Sequence, residues 1–137
     1  MKVEGISAIT LFVKDMTKSC SFYSKLPGFK LKYGGGENDT FTTFEMGSKP
    51  ANTTYLNLEL HMNIDHIEHK QEGCGRVIFY TDDVDRVYSY LYGNKIFTGL
   101  ISFSGTPVNA PWGERYFHII DPDGYVISFA MPINHKI

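Results

Sequence analysis

The sequence predicts an α+β fold built from two βαβββ modules, and three observations carry that expectation. One run of strand, helix and further strands occurs twice, with matching landmarks shifted by about 68 positions. Nine Tyr and ten Phe help bring the aromatic share to 15%, which favours pleated sheets and apolar pockets over a helical bundle. The stretch from Tyr116 to Met131 reads as strand, tight turn, strand. Tyr116-Phe117-His118-Ile119-Ile120 is mostly aromatic and β-branched. Asp121-Pro122-Asp123-Gly124 then breaks the run with an acceptor for backbone amides, a proline that presets φ and a glycine free to take positive φ. Residues 125–131 return as the second strand of an antiparallel hairpin.

In the first half, residues 6–13 read as a strand rich in Ile, Leu, Phe, Val and Thr. Residues 16–26 place Ser19, Cys20, Phe22, Tyr23 and Leu26 on a helical period, with Asp15 as N-cap and Pro27-Gly28 as the stop. Residues 29–33, 40–46 and 54–61 are the next three strands. Gly34-Gly35-Gly36 lacks the strand-before, helix-after setting and the lysine of a phosphate loop, so it reads as a plain turn. Residues 63–74 form a polar linker. His66 and His69 within it, together with His61, raise the idea of a metal, but solvated loop histidines are the simpler reading.

The second half repeats the pattern. Residues 76–81 are a strand, ended by Asp82-Asp83. Residues 84–92 are a helix with Val84, Val87, Tyr88 and Leu91 on one face. Residues 95–103 read as extended and 107–113 as a loop holding Trp112, ahead of the hairpin. The shift aligns Asp15 with Asp83, Phe22-Tyr23 with Tyr90-Leu91, and Phe29 with Phe97. The expected organisation is a single domain over 1–137, with modules 1–62 and 75–137 joined by the linker 63–74.

A net charge of −2 gives no basic footprint for nucleic acid. No apolar run reaches membrane-spanning length, and the first residues lack the apolar core of a signal peptide. A soluble, cytoplasmic protein is expected. Cys20 and Cys74 read as two reduced thiols rather than a disulfide framework, with no evident base beside either.

The run Phe12-Val13-Lys14-Asp15, the Ser21-Phe22-Tyr23 helix, Pro27-Gly28-Phe29 and the Asp121-Pro122-Asp123-Gly124 turn, set on a βαβββ repeat, resemble the vicinal oxygen chelate superfamily. That superfamily includes glyoxalase I (lactoylglutathione lyase), extradiol dioxygenases, fosfomycin-resistance enzymes and bleomycin-resistance proteins. The resemblance implies sheets wrapped into partial barrels around a cavity, usually within a homodimer. It also implies ligand positions for a divalent ion on the first, fourth, fifth and eighth strands. Carried over residue by residue, these fall on Ala8, Glu59, Arg76 and Ser128. Alanine has no donor atom, arginine repels a dication, and a serine hydroxyl is a weak ligand. Glu59 alone suits a metal, and one carboxylate does not fix a catalytic ion that normally has about three protein ligands. No metal or other cofactor is therefore expected, unless the ligand positions are misplaced.

Arg76 and Glu59 are both expected to point into the cavity. There they would either pair and fill the vacant metal site, or leave Arg76 as a hook for a ligand's anionic oxygen. Alternation adds Thr10 and Phe12 beside Ala8, Ile78 and Tyr80 beside Arg76, and Val126 and Ala130 beside Ser128. Trp112 is expected either to lid the cavity or to plug the sheet edge. Arg115 is expected to pair with Glu114 or Asp123 or to reach a ligand. The expected pocket is mainly apolar with few polar groups, as small-molecule sites usually are. The resemblance therefore implies a metal-free protein that binds a partly apolar small molecule by sequestration, as bleomycin-resistance proteins do. The alternative is an enzyme of the same superfamily, using a divalent metal or acid–base chemistry by Glu59, His61 or His118, whose strand parity the sequence leaves open.

Overall fold

The computed structural model describes residues 1–47, 53–62 and 75–133. The chain divides into two compact units, residues 1–67 and 68–137. Each carries one βαβββ module, which makes the protein α+β with two four-stranded mixed sheets. The expected linker, with His66, His69 and Cys74, lies outside the described residues.

The first unit runs β1 (Ala8–Val13), α1 (Met16–Tyr23), β2 (Lys30–Tyr33), β3 (Phe41–Met46) and β4 (Thr54–Leu60). Its sheet has the order β1-β4-β3-β2, with β1 parallel to β4 and the other pairs antiparallel. Side chains alternate across each strand. Leu11 and Val13, Leu56 and Leu58, and Phe44 are thus buried on the face that receives α1. The helix answers with Met16, Ser19, Cys20, Phe22 and Tyr23. Burying a Leu or Phe side chain of this kind contributes roughly 1.5–3 kcal/mol. Asp15 caps α1 by accepting from the Lys18 amide at 3.0 Å. The helix ends at Tyr23, short of Leu26, because the next amides reach only three residues back: Lys25 N to Phe22 O at 3.1 Å and Leu26 N to Tyr23 O at 3.2 Å. Pro27 disfavours the helical region for the residue before it, and the chain tightens ahead of it.

The glycine loop is a turn closed by its own neighbours. Thr42 Oγ1 accepts from Gly35 N at 2.9 Å and Asp39 Oδ2 from Gly36 N at 2.7 Å. Gly34 has φ +75, and a Cβ there would meet Phe41 O at 2.3 Å. These amides are occupied by side chains of the chain, which leaves no phosphate cradle.

The second unit runs β5 (Val77–Tyr80), α2 (Val84–Gly93), a 3₁₀ turn (Lys95–Phe97), β6 (Ser102–Asn109), β7 (Glu114–Ile120) and β8 (Val126–Pro132). Its sheet has the matching order β5-β8-β7-β6, with β5 parallel to β8. Asp83 caps α2 as Asp15 caps α1, accepting from Arg86 N at 3.0 Å. An aromatic core joins helix to sheet: Phe129 meets Phe79 at 5.8 Å in a tilted contact and stacks on Phe117 at 5.3 Å, and Tyr88 meets Phe117 edge-on at 5.3 Å.

Two expectations are corrected in this unit. Residues 95–103 are not one extended run. Asn94 Oδ1 accepts from Ile96 N at 3.2 Å, and this local cap wins a 3₁₀ turn over Lys95–Phe97 before β6 begins. Nor is 107–113 wholly loop, because Pro107, Val108 and Asn109 continue β6 beyond a register shift between Ser104 and Val108. β6 is an edge strand, where a proline leaves no ladder partner unserved.

Between β7 and β8 the turn is held by Asp121, which is buried. Its Oδ1 accepts from the amides of Asp123 and Tyr125, each at 2.9 Å, while Gly124 takes φ +93. Removing the carboxylate would leave two amides without their acceptor. Asp121→Ala is expected to lower unfolding stability by about 1–3 kcal/mol, read as a lower urea midpoint at unchanged m-value, with Asp121→Asn losing less.

Candidate functional site

Each sheet spends one face on its helix and leaves the other open. In the second unit Phe117 and Ile119 of β7 are buried on the helix side. Strand alternation therefore puts Glu114, Tyr116 and His118 on the open face. The register carries Ser128, Ala130 and Val126 of β8 onto the same face, opposite His118, Tyr116 and Ile120. β5 adds Ile78 and Tyr80, opposite Ser128 and Ala130. Arg76 lies just before that strand.

These residues form a polar chain beside an aromatic ladder. Arg76 Nη1 lies 3.2 Å from His118 Nε2, and His118 Nδ1 lies 2.5 Å from Ser128 Oγ. A guanidinium only donates, so Nε2 must accept. The ring proton then sits on Nδ1 and is donated to Ser128. In that tautomer the imidazole cannot take a proton from Ser128, which rules out an activated serine nucleophile here. The His118 ring lies 5.0 Å from Tyr116, and Tyr116 stacks on Trp112 at 6.3 Å with planes 16° apart. Trp112 Nε1 donates to Glu114 Oε1 at 3.2 Å, which steadies an indole that is 70% exposed. Ile78, Tyr80 and Val108 are exposed on the same face. Trp112 is thus exposed and extends the ladder. Burial, then the Arg76 charge, lower the His118 pKa below its ordinary 6.5.

The first unit's open face follows the same logic. Leu56 and Leu58 are buried, so Tyr55, Asn57 and Glu59 face out, with His61 continuing the series. Glu59 Oε2 accepts from His61 Nε2 at 2.6 Å, and the His61 ring stacks on Phe12 at 4.0 Å. Asn57 Nδ2 donates to Thr10 Oγ1 at 3.2 Å, and Thr43 Oγ1 donates to Asn57 Oδ1 at 2.8 Å. Glu59 and Arg76 thus each have a polar partner within their own unit.

Of the expected site residues, Thr10, Phe12, Glu59 and His61 share one open face, and Arg76, Tyr80, Trp112, His118 and Ser128 share the other. Arg115 departs from both. It lies on the helix side of β7, where Nε and Nη2 donate to the two carboxylate oxygens of Asp85 at 3.0 and 2.9 Å and Nη1 donates to Asn109 at 3.0 Å. Its partner is therefore Asp85 of α2, not Glu114 or Asp123. Tyr116 and Asn57 were not singled out from sequence. The alternation Leu56-Asn57-Leu58-Glu59-Leu60 and the Phe117/Ile119 pair carry the signal that places them.

A separate cleft of about 350 Å³ lies on the helix side of the first unit, lined by Thr17, Cys20, Ser24, Leu31 and Phe44 among others. Burial raises the Cys20 thiol pKa, against the smaller effect of its contact with Thr42, so this cysteine is a poor nucleophile. Among the described residues no helix is long and apolar enough to cross a membrane.

Comparison with known proteins adds a family. The model described as Glyoxalase/Bleomycin resistance protein/Dioxygenase superfamily matches residues 5–129. Among solved structures, a bleomycin resistance determinant encoded on the transposon Tn5 is 17% identical with a TM-score of 0.66, over 94% of this chain and 98% of that one. A member of the same superfamily from Sphaerobacter thermophilus is 25% identical with a TM-score of 0.65, over 94% and 98%. A virulence protein of Salmonella typhimurium is 21% identical with a TM-score of 0.67, over 97% and 100%. A search of curated proteins found no match.

The His118 environment sets a pH dependence. Because the folded-state pKa is lowered from 6.5, the unfolded chain binds a proton that the folded chain refuses. The His118 contribution to stability is full above pH 6.5 and is lost as pH falls through the folded-state value. Thermal melts of wild type and His118→Gln across this range should converge as the pH drops, the variant showing the flatter profile.

Proposed function

The chain belongs to the Glyoxalase/Bleomycin resistance protein/Dioxygenase superfamily, and from that premise we propose that it is a metal-free protein that binds a partly apolar small molecule by sequestration. The cavity is at or near a homodimer interface, in a cytoplasmic protein. The observation that carries this is Arg76 on an open apolar sheet face. Among the described residues its guanidinium meets a ring nitrogen of His118 rather than a carboxylate, while Ile78, Tyr80 and Trp112 stand exposed on the same face. An arginine so placed has spare donors beside aromatic surface, which is what an anionic or carbonyl oxygen on a flat ligand requires.

The residues at the family's metal positions do not fit a divalent ion. Ala8 has no donor, and Arg76 brings a positive charge. Ser128 is only 1% exposed, and its hydroxyl is engaged by His118. Glu59 is bonded to His61. Among the described residues no group of three His, Cys, Asp or Glu side chains could hold a metal.

The Glu59–His61 contact supports a second reading, an enzyme using acid–base chemistry. A carboxylate that accepts a hydrogen bond from Nε2–H fixes the tautomer and leaves Nδ1 as an acceptor, the arrangement of an oriented general base. Turnover of a carbon acid or ester by purified protein, lost in Glu59→Gln and His61→Gln alike, would establish it over sequestration.

Three outcomes are expected of the binding reading. Elemental analysis of purified protein should find no stoichiometric transition metal or zinc; metal that disappears in Glu59→Ala would overturn this. Sedimentation at micromolar concentration should show a dimer. A thermal-shift screen of charged and uncharged aromatic compounds should give hits. Because a hydrogen bond to a charged group contributes roughly 1.5–3 kcal/mol, Arg76→Ala should weaken the anionic hits by about ten- to hundred-fold. The unliganded variant should melt close to wild type, since Glu59 keeps His61 as its partner. Equal ligand shifts in both proteins would remove Arg76 from the site.

A further inference from the structure

We infer that the Arg76–His118 pair captures an aromatic carboxylate together with one proton. This deepens the binding reading above and rests on it. The argument starts from the hydrogen-bond accounting at 3.2 Å between Arg76 Nη1 and His118 Nε2. Without ligand, Nε2 is an acceptor and the ring is neutral. Protonating it would set an imidazolium N–H against a guanidinium N–H, donor against donor and charge against charge. A carboxylate reverses both terms. Its oxygens can accept from Nη1 and from Nε2 at once, and its negative charge offsets the two positive groups. Arg76 then turns from the ring to the anion. Nε2, relieved of that contact, takes a proton from solvent and donates it to the second oxygen. Nδ1–H keeps its bond to Ser128 Oγ throughout, so the ring need not rotate.

The rest of the face selects the body of the ligand. The ladder from His118 through Tyr116 to Trp112 offers a flat aromatic ring a stacking surface that begins at the anion site. Glu114 closes the far end, holding Trp112 by its indole N–H, and repels a second negative charge there. A ligand with one carboxylate at the Arg76 end and an uncharged aromatic body fits this pattern. Within the unit and among the described residues, the groups facing His118 are few. β7 itself supplies Tyr116 and Glu114. β8 supplies Ser128, Val126 and Ala130, none of which titrates. β6 supplies Ser104 opposite His118. From β5 and just before it come Tyr80 and Arg76. Arg76 is the charged neighbour in hydrogen-bond contact.

The test uses 2-naphthoate and its uncharged isostere 2-naphthamide on the full chain. Nuclear magnetic resonance titration of the His118 Cε1–H signal reports the ring's midpoint directly. With naphthoate it should rise by at least about one unit, the equivalent of a tenfold preference of the anion for the protonated ring. With naphthamide it should stay put. Calorimetry above the free midpoint should show proton uptake with naphthoate, seen as a heat that varies with buffer ionisation enthalpy. Affinity should fall as pH rises through the same window, with His118→Gln abolishing that slope and the uptake. Naphthoate binding without a midpoint shift overturns proton capture. Equal binding of both probes overturns selection of the anion and leaves the sequestration reading intact. If neither binds, the inference falls; a screen empty of ligands of every charge removes the binding reading as well.

Discussion

One helix per four-stranded sheet is the constraint from which the rest of this protein follows. A sheet has two faces, and α1 and α2 each cover one of them. The period of two along a strand then divides every residue into a helix-side set and an open set. Leu56, Leu58, Phe117 and Ile119 are buried because they share parity with the helix. Glu59, His61, Tyr116 and His118 are available for chemistry because they do not. A one-residue slip in β7 would exchange these sets and put His118 into the aromatic core beside Tyr88. Asp121 guards against that slip by holding the hairpin turn on two backbone amides.

The two arginines of the second unit show how parity sets the fate of a charge. Arg115 is on the helix side, where a bidentate contact with Asp85 uses its fork fully. That pair is largely exposed to solvent, with side-chain exposures of 29% and 56%, so its worth is modest. Its service is to tie α2 to β7. Arg76 opens onto the other face, where a ring nitrogen is its polar contact. The same side chain is a strut in one place and, among the described residues, a donor set with a single ring-nitrogen partner in the other. Sequence alone could not separate them, since both stand at strand starts with acidic residues nearby.

The fold was readable because its signals are local and repeated. Asp15 and Asp83 cap their helices with the same 3.0 Å bond, and the shift that aligns them also aligns Phe22-Tyr23 with Tyr90-Leu91. What was misread had a local competitor. Asn94 captured Ile96 N and curled a stretch that composition marks as extended. Pro107 looked like a loop residue until β6 proved to be an edge. The site was half legible: alternation placed Thr10, Phe12, Tyr80 and Ser128 correctly on open faces, given the strands. His61 and His118 stayed open because their parity depends on where each strand begins. Tyr116 escaped notice because a tyrosine in an aromatic strand reads as core until Phe117 and Ile119 claim that side.

The two open faces also differ in kind, although the repeat makes them homologous in position. On the first, Asn57 bonds to both Thr10 and Thr43 and Glu59 is bonded to His61, so polar groups largely satisfy polar groups. On the second, Ile78, Tyr80, Val108 and Trp112 are exposed and apolar, and the polar chain from Ser128 through His118 ends on a guanidinium that, among the described residues, has donors to spare. A face whose hydrogen bonds are internally closed gains little from a polar ligand, because each new bond must displace an old one. A face that pairs exposed apolar area with an under-used cation gains on both counts, from area removed from water and from a charge-assisted bond. The asymmetry is why the binding reading proposed above rests on the second unit, whereas the first carries the oriented Glu59–His61 contact on which the acid–base reading rests.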